Sequence, residues 1–528
     1  MGVTIFIAFT AIVGIISYML TRNTNEKSSD GYFLGGRSLT ASVIAGSLLL
    51  TNLSTEQIVG LNGAAYKEGI LVMVWETLAA VAMVVTAIFL LPRYLKGGIT
   101  TIPQFLQRRY DRTTKAITSG LFLTGYAIIL LPTVLYSGAL AINTMFDIPE
   151  LIGVSDTTAL WITVWAIGGI GSIYAIFGGL KAVAVSDTIN AIGLLIGGVM
   201  IPIFGLYTIG DGSLLGGIDV LLESHPEKFN AIGSPEASVP FSTIFTGMML
   251  VQLFYWGTNQ AIIQRALGAK NLKEGQKGLL LGSFIKILGP VIVVLPGIIA
   301  FHMFKGELVN PDEAYPMLVS KVLPVSLVGF FAAVLFGAIL SSFNSALNSS
   351  VTLFGIDIYK EYVNKEASEK AVVKAGKTFG ILLALISMCI APLLVYATNG
   401  LFGYLQEANG IYSIPILTII VVGYVTKRVP AIAAKIGIIS GSLLYIISQF
   451  ILKPFVVGAE NYPHFLHVMA ILFVLNIIIM LIIGRLYPRK EEYKQEYTKQ
   501  VDITPWKYVK VAGGIICLLV IAVYVYFS

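Results

Sequence analysis

Charge is what this chain has least of. Only 12% of its 528 residues are Asp, Glu, Lys or Arg, 56% are hydrophobic, and the mean hydropathy is +0.82. Soluble domains carry roughly 25% charged residues, so composition alone excludes one. Cysteine is nearly absent. Cys389 and Cys517 are the only two, both inside apolar runs, which excludes a disulfide framework. The four histidines, His225, His302, His464 and His467, stand in connections or at the ends of apolar runs and form no H-x-x-x-H or Cys-His set. Gly376-Lys377-Thr378 has the tail of a phosphate loop, but Ala371 stands where that loop needs its first glycine. No catalytic, metal or nucleotide constellation is present, and an enzyme is not expected.

What the chain does have is apolar length. Fourteen runs approach or exceed the roughly 20 residues that cross a bilayer: 2–20, 40–66, 70–92, 116–145, 158–176, 182–209, 240–258, 278–303, 324–358, 378–396, 404–425, 432–452, 464–484 and 511–527. The first has no basic residue before it and no small-residue cleavage site, so it is expected to be a retained span. Met1-Gly2 lacks Ser or Thr at position 6, which argues against myristoylation. The net charge of +6 is a topology signal and not a nucleic-acid one: 29 of the 35 Lys and Arg fall in alternate connections after the first span, and 5 in the opposite set. This asymmetry predicts both termini on the extracellular or periplasmic side of the cell membrane.

Several runs are interrupted by polar residues. Ala338 to Ser349 reads A-I-L-S-S-F-N-S-A-L-N-S, and on a helix Ala338, Ser341, Ser342, Ser345 and Ser349 share one stripe. Hydroxyls and a carbonyl on one face can replace the water around a small hard cation, or they can simply let two helices pack closely. The second span is broken by Thr51-Asn52-Leu53-Ser54-Thr55-Glu56-Gln57, and unwound backbone there would free carbonyls for an ion. A second candidate break, Gln252 to Gln260, lies five spans later, so the two helices enter from opposite sides, as an inverted repeat of five spans requires. Lys286 lies well inside the eighth span, in reach of a cavity. Asp187 sits at the start of the sixth span, after a connection whose Gly178-Gly179 predicts a tight turn. The external stretch 210–239 is expected to cover the outer face, Thr100 to Tyr110 to lie on the cytoplasmic surface, and 485–510 to be a solvated loop.

Five long stretches, G-Y-F-L-G-G-R-S-L, T-N-L-S-T-E-Q, E-G-I-L-V-M-V-W-E, F-Y-W-G-T-N-Q-A-I-I-Q-R and L-S-S-F-N-S-A-L-N-S-S-V-T-L-F-G-I-D-I-Y-K-E-Y, resemble the sodium/solute symporter family. The likeness is greatest to its bacterial sodium/galactose branch. The resemblance implies an all-α polytopic membrane protein with a leucine-transporter-type core of two inverted five-helix repeats. The corresponding division is a first span and loop (1–39), a first repeat (40–209), an external loop (210–239), a second repeat (240–425) and three peripheral spans (426–528).

Residue by residue, the resemblance implies a sodium site made by the carbonyls of Leu50, Leu53 and Ala338 and the hydroxyls of Ser341 and Ser342. It implies sugar contacts at Gln57, Glu76, Lys286 and Gln406, with Asn52 tying the broken span to the site and Tyr255 closing the sugar off from the cytoplasm. Leu61, Trp75 and Phe402 form the implied outer lid. Glutamines, a carboxylate and an ammonium match the mixed donors and acceptors of a neutral polyol. A carboxylate substrate would usually want an arginine fork, which spans two, four and seven lack. The chain departs from the galactose branch at Gln252 and Leu130, both Asn there, and at Ala79, a Ser there. Asp187, Asn344 and Ser345 are candidates for an additional cation site. The expected activity is sodium-driven import of a galactose- or glucose-like hexose, the alternatives being another polyol or organic solute such as inositol or sialic acid, or a sensor that binds sugar without transporting it.

Overall fold

Nothing in a bilayer core can hydrogen-bond a bare peptide group, so a chain this apolar must satisfy its backbone within each segment. The computed structural model, which describes residues 2–21, 28–305, 307–308, 310–396 and 401–528, does so with helices. Among these residues the only extended pairing is a single bridge between Leu39 and Ala269. The main helices are α1 (Gly2–Thr21), α2 (Ala41–Asn52), α3 (Thr55–Glu68), α4 (Val74–Val85), α5 (Arg112–Gly125), α6 (Leu131–Phe146), α7 (Asp156–Ile209), α8 (Gly247–Gly257) and α9 (Gln260–Leu267). They continue as α10 (Leu272–Ile287), α11 (Leu295–Phe304), α12 (Val325–Thr352), α13 (Glu369–Ile390), α14 (Leu401–Val425), α15 (Ala431–Ile447), α16 (Phe465–Leu486) and α17 (Val509–Tyr526).

Among the described residues nine helical stretches are long and apolar enough to cross a membrane, or ten if the pair Leu272–Ile287 and Gly289–Phe304, bent by 51°, is one span. Interruption removes two of the fourteen runs read from the sequence from this set. The second run is cut at Leu53 and Ser54, leaving 12 residues in α2, and the seventh at Thr258 and Asn259, leaving 11 and 8. The bend after α10 falls at Gly289-Pro290, where proline removes a helical donor and glycine lets Glu76 approach; a Cβ at Gly289 would lie 2.3 Å from Glu76 Oε2.

Two expectations for connections are refined. The fifth and sixth runs form one helical stretch of 54 residues, without a separate turn. That stretch cannot be straight. Gly171 packs on Phe343 and Asn190 on Gly337. Nineteen helical residues advance about 28 Å, yet the six residues between positions 337 and 343 span only about 9 Å. The chain therefore reverses between Gly171 and Asn190, as the sequence suggested, but by bending a helix. The stretch 485–510 is exposed along most of its length, as a solvated connection should be, but it is also docked as a strap. Asp502 O accepts from Leu272 N at 2.9 Å, Trp506 N donates to Gln276 Oε1 at 2.7 Å, and Lys96 O accepts from Thr498 N at 3.1 Å. The strap satisfies the exposed starts and ends of neighbouring helices, which its own charge pattern does not reveal.

The stretch 210–239 is tied down: Lys228 Nζ donates to the carbonyls of Tyr66 and Lys67 at the end of α3, and Ala231 N to Phe527 O. On the opposite side Ile102–Arg109 forms a short amphipathic helix. Arg109, fully buried, donates to the carbonyls of Gly423 in the last turn of α14 and of Thr426 and Val429 beyond it, where a cation is electrostatically favoured.

Candidate functional site

The site begins at the break between α2 and α3. Leu53 (φ −75°, ψ 51°) and Ser54 (φ −84°, ψ 178°) leave helical geometry, and the chain resumes at Thr55. Short polar side chains compete locally with helical bonding, which is why T-N-L-S-T breaks where an all-apolar run would not. Ser54 is the N-cap of α3, yet its side chain caps nothing. Ser54 Oγ, Thr55 Oγ1 and Glu56 Oε2 are all buried without a hydrogen-bond partner.

The serine stripe of α12 faces this break. Ser342 Oγ donates to Thr51 O at 2.8 Å, and Thr51 Oγ1 lies 3.3 Å from Ser341 Oγ and 3.2 Å from Ser345 Oγ. Leu50, Leu53 and Ala338 are buried at the same junction. The residues expected to ligate sodium thus come from two elements joined at Thr51, which the sequence reading passed over although it lies in the quoted motif. Neutral oxygens gathered in a dry place are the donor set of a hard monovalent cation. Farther along the stripe Ser349 Oγ donates to Gln264 Oε1 at 2.7 Å, so that hydroxyl ties α12 to α9.

Beside the break lies a cavity that is partly open to solvent. Asn52, Gln57, Gln252, Tyr255, Gln406, Trp75 and Phe402, all named from the sequence, line it, together with Leu130 and Glu56. Glu76 and Lys286 stand directly behind the wall and engage each other. Lys286 Nζ donates to Glu76 Oε2 and to Asn52 Oδ1, while Gln57 Nε2 donates to Glu76 Oε1 at 2.6 Å. Both charged side chains are completely buried, so Lys286 does not reach for the membrane surface. Gln252 spans α4 and α8, donating to Trp75 O at 3.0 Å and accepting from Trp256 Nε1 at 3.2 Å.

Trp75 and Phe402 meet edge to face with ring centroids 5.1 Å apart. They line both this cavity and a second one, and so form the partition between the two. Gly60 makes this closure possible, since a Cβ there would stand 2.8 Å from Phe402 Cβ. Leu61 is buried and lines neither space.

Of the three residues considered for an additional cation, Asp187 and Asn344 line one cavity, and Asn344 Oδ1 has no partner. Asp187 already faces a cation of the protein's own, Arg265, whose Nη2 is 3.9 Å from Asp187 Oδ2. Arg265 also donates to Ser345 Oγ, Ser47 Oγ and Ala261 O, and Ser47 Oγ donates to Asp187 Oδ2 at 2.6 Å. Ser345 therefore turns toward Arg265 and the Ser341 carbonyl, away from that cavity. In the sequence Arg265 is simply the last residue of F-Y-W-G-T-N-Q-A-I-I-Q-R, with nothing to mark its partners. The signal that finds it is its place at i+4 from Ala261 on a helix whose other residues are nearly all buried.

Comparison with known proteins follows the same lines. The family model described as the sodium:solute symporter family matches residues 32–441. The chain is 47% identical over 519 residues, 98% of its length and 90% of the relative's, to a protein named "Uncharacterized symporter YidK" from Escherichia coli (strain K12). It is 32% identical to a sodium/glucose cotransporter of Vibrio parahaemolyticus, with 83% of each chain covered. Among solved structures, the substrate-bound outward-open state of a Na+-coupled sialic acid symporter superposes with a TM-score of 0.79 at 20% identity, over 94% of this chain and 99% of that one, a likeness of fold. The fold is the leucine-transporter type expected from the sequence. The chain is a multi-pass secondary transporter, not an enzyme, and belongs to the sodium:solute symporter family.

Proposed function

We propose that the protein is a sodium-coupled symporter that imports a neutral hexose of the galactose or glucose type by alternating access. The observation that carries this reading is the junction of the α2–α3 break with the α12 stripe, made by Ser342 Oγ on Thr51 O at 2.8 Å beside a cavity lined with amides and aromatic rings. Sodium is held by the carbonyls of Leu50, Leu53 and Ala338 and the hydroxyls of Ser341 and Ser342. Its binding fixes the break, which orders Asn52, Gln57 and the Glu76–Lys286 pair at the sugar. By linkage each ligand raises the other's affinity. Tyr255 screens the sugar from the cytoplasm, and Trp75 and Phe402 form the outer gate. Each sodium ion entering down the membrane potential contributes about 2.3 kcal/mol per 100 mV, before its concentration gradient is added.

The same reading divides the chain into repeats at 40–209 and 240–425 and sets the protein in the cell membrane with both termini outside. The relative named as a sodium/glucose cotransporter supports a sugar, while the sialic acid symporter shares the fold and keeps other solutes in play. The test is uptake into proteoliposomes of labelled galactose, glucose, inositol and sialic acid, with and without an inward sodium gradient. Sodium-driven accumulation of a hexose is expected. Uptake indifferent to sodium contradicts the coupling, sodium-driven uptake of sialic acid or inositol alone contradicts the hexose, and saturable binding without uptake identifies a sensor.

A further inference from the structure

The cavity beside the broken span has one acidic residue in its wall, and that residue has a spare oxygen. Glu56 is 94% buried in the first turn of α3, lines the cavity, and has no partner for Oε2. Neither nearby buried cation serves it: Lys286 is engaged by Glu76 and Asn52, and Arg265 by Asp187, Ser47, Ser345 and Ala261 O. With Glu76 paired to Lys286, Glu56 is the acidic side chain of the wall that no buried cation pairs with. A buried carboxylate oxygen without a donor is costly until a ligand supplies one.

The helix start adds a second argument. The first turn of a helix is where an incoming anion is stabilised by open N–H groups and the helix dipole. In α3 the protein's own carboxylate already occupies that turn, so a ligand carboxylate would meet a like charge there.

Resting on the sugar-symporter reading above, we infer that Glu56 is a charge filter: it accepts a hydrogen bond from a hydroxyl or ammonium group of a neutral or cationic sugar and rejects sugars that carry a carboxylate. Among ligands with one ring stereochemistry, the protein takes the neutral and amino forms and refuses the uronate.

The test is equilibrium competition against labelled galactose on the purified full chain in sodium buffer near neutral pH, with galactose, galactosamine and galacturonate as competitors. Galactose and galactosamine are expected to displace the label at similar concentrations, and galacturonate only at concentrations higher by about tenfold or more. In Glu56→Gln, which keeps the side chain's shape, the ratio of galacturonate to galactose affinity should move toward one. Equal displacement by galacturonate and galactose in the unmodified protein overturns the inference without needing any variant. An unchanged ratio in Glu56→Gln, accompanied by a weaker sodium requirement, also overturns it and assigns Glu56 to the ion instead. Absence of all sodium-dependent sugar binding sinks the sugar reading itself, and this inference with it.

Discussion

The two broken spans look alike in sequence and differ in how they are finished. Both resume at a helix N-cap in extended geometry, Ser54 in one and Asn259 in the other. At the second break the protein satisfies itself. Asn259 Oδ1 accepts from Ala261 N and from Tyr126 OH at 2.6 Å, Thr258 Oγ1 donates to Phe254 O, and Gln260 Oε1 accepts from Ile102 N. At the first break Ser54, Thr55 and Glu56 keep buried oxygens without partners. Native proteins rarely leave such groups unsatisfied, and a cluster of them beside a cavity marks where a ligand is meant to supply the missing bonds. The second break is a finished joint, and the first is an open one.

Substitutions can break or sharpen that contrast. The largest effect is expected at Lys286, which braces the first break through Asn52 and neutralises Glu76. Lys286→Ala leaves a buried carboxylate alone, a change that typically costs about 3–5 kcal/mol. Thermal unfolding in detergent should fall sharply and sugar uptake should be lost, with the apolar double replacement of Lys286 and Glu76 recovering much of the stability but none of the transport. The middle and smallest effects come from the two N-caps measured side by side. Asn259→Ala removes a working cap and leaves the Tyr126 hydroxyl without its acceptor, at a cost of about 2 kcal/mol. Ser54→Ala removes a hydroxyl that caps no helical N–H and should change the ligand-free protein's stability by no more than about 0.5 kcal/mol. Equal costs at the two caps would erase the distinction between finished and open joints.

Much of this was legible in the chain. Low charge and long apolar runs determine an all-helical membrane protein, and polar residues inside the second and seventh runs locate both breaks. The stripe on α12 is visible because the helical repeat is local. What local pattern does not carry is the partner of each polar group. Lys286 and Glu76 are 210 residues apart, and nothing in either neighbourhood says that they cancel. Arg265 reads as one more cytoplasmic cation until the fold buries it against Asp187 and Ser345. Glu56 and Gln57 are adjacent in one motif, yet only three-dimensional packing separates the glutamine bonded to Glu76 from the acidic neighbour that is not. Residue types therefore point to the site, whereas its charge balance emerges only from the packing.

The central claim is that neutral oxygens at the junction of α2, α3 and α12 hold the coupling ion. Its most direct test is the sodium dependence of hexose uptake into proteoliposomes for the unmodified protein and for Ser342→Ala. The account predicts that loss of the hydroxyl raises the sodium concentration for half-maximal uptake by about tenfold or more, in line with the loss of one ligand to a buried charge. A sodium response in Ser342→Ala that superimposes on that of the unmodified protein would contradict it.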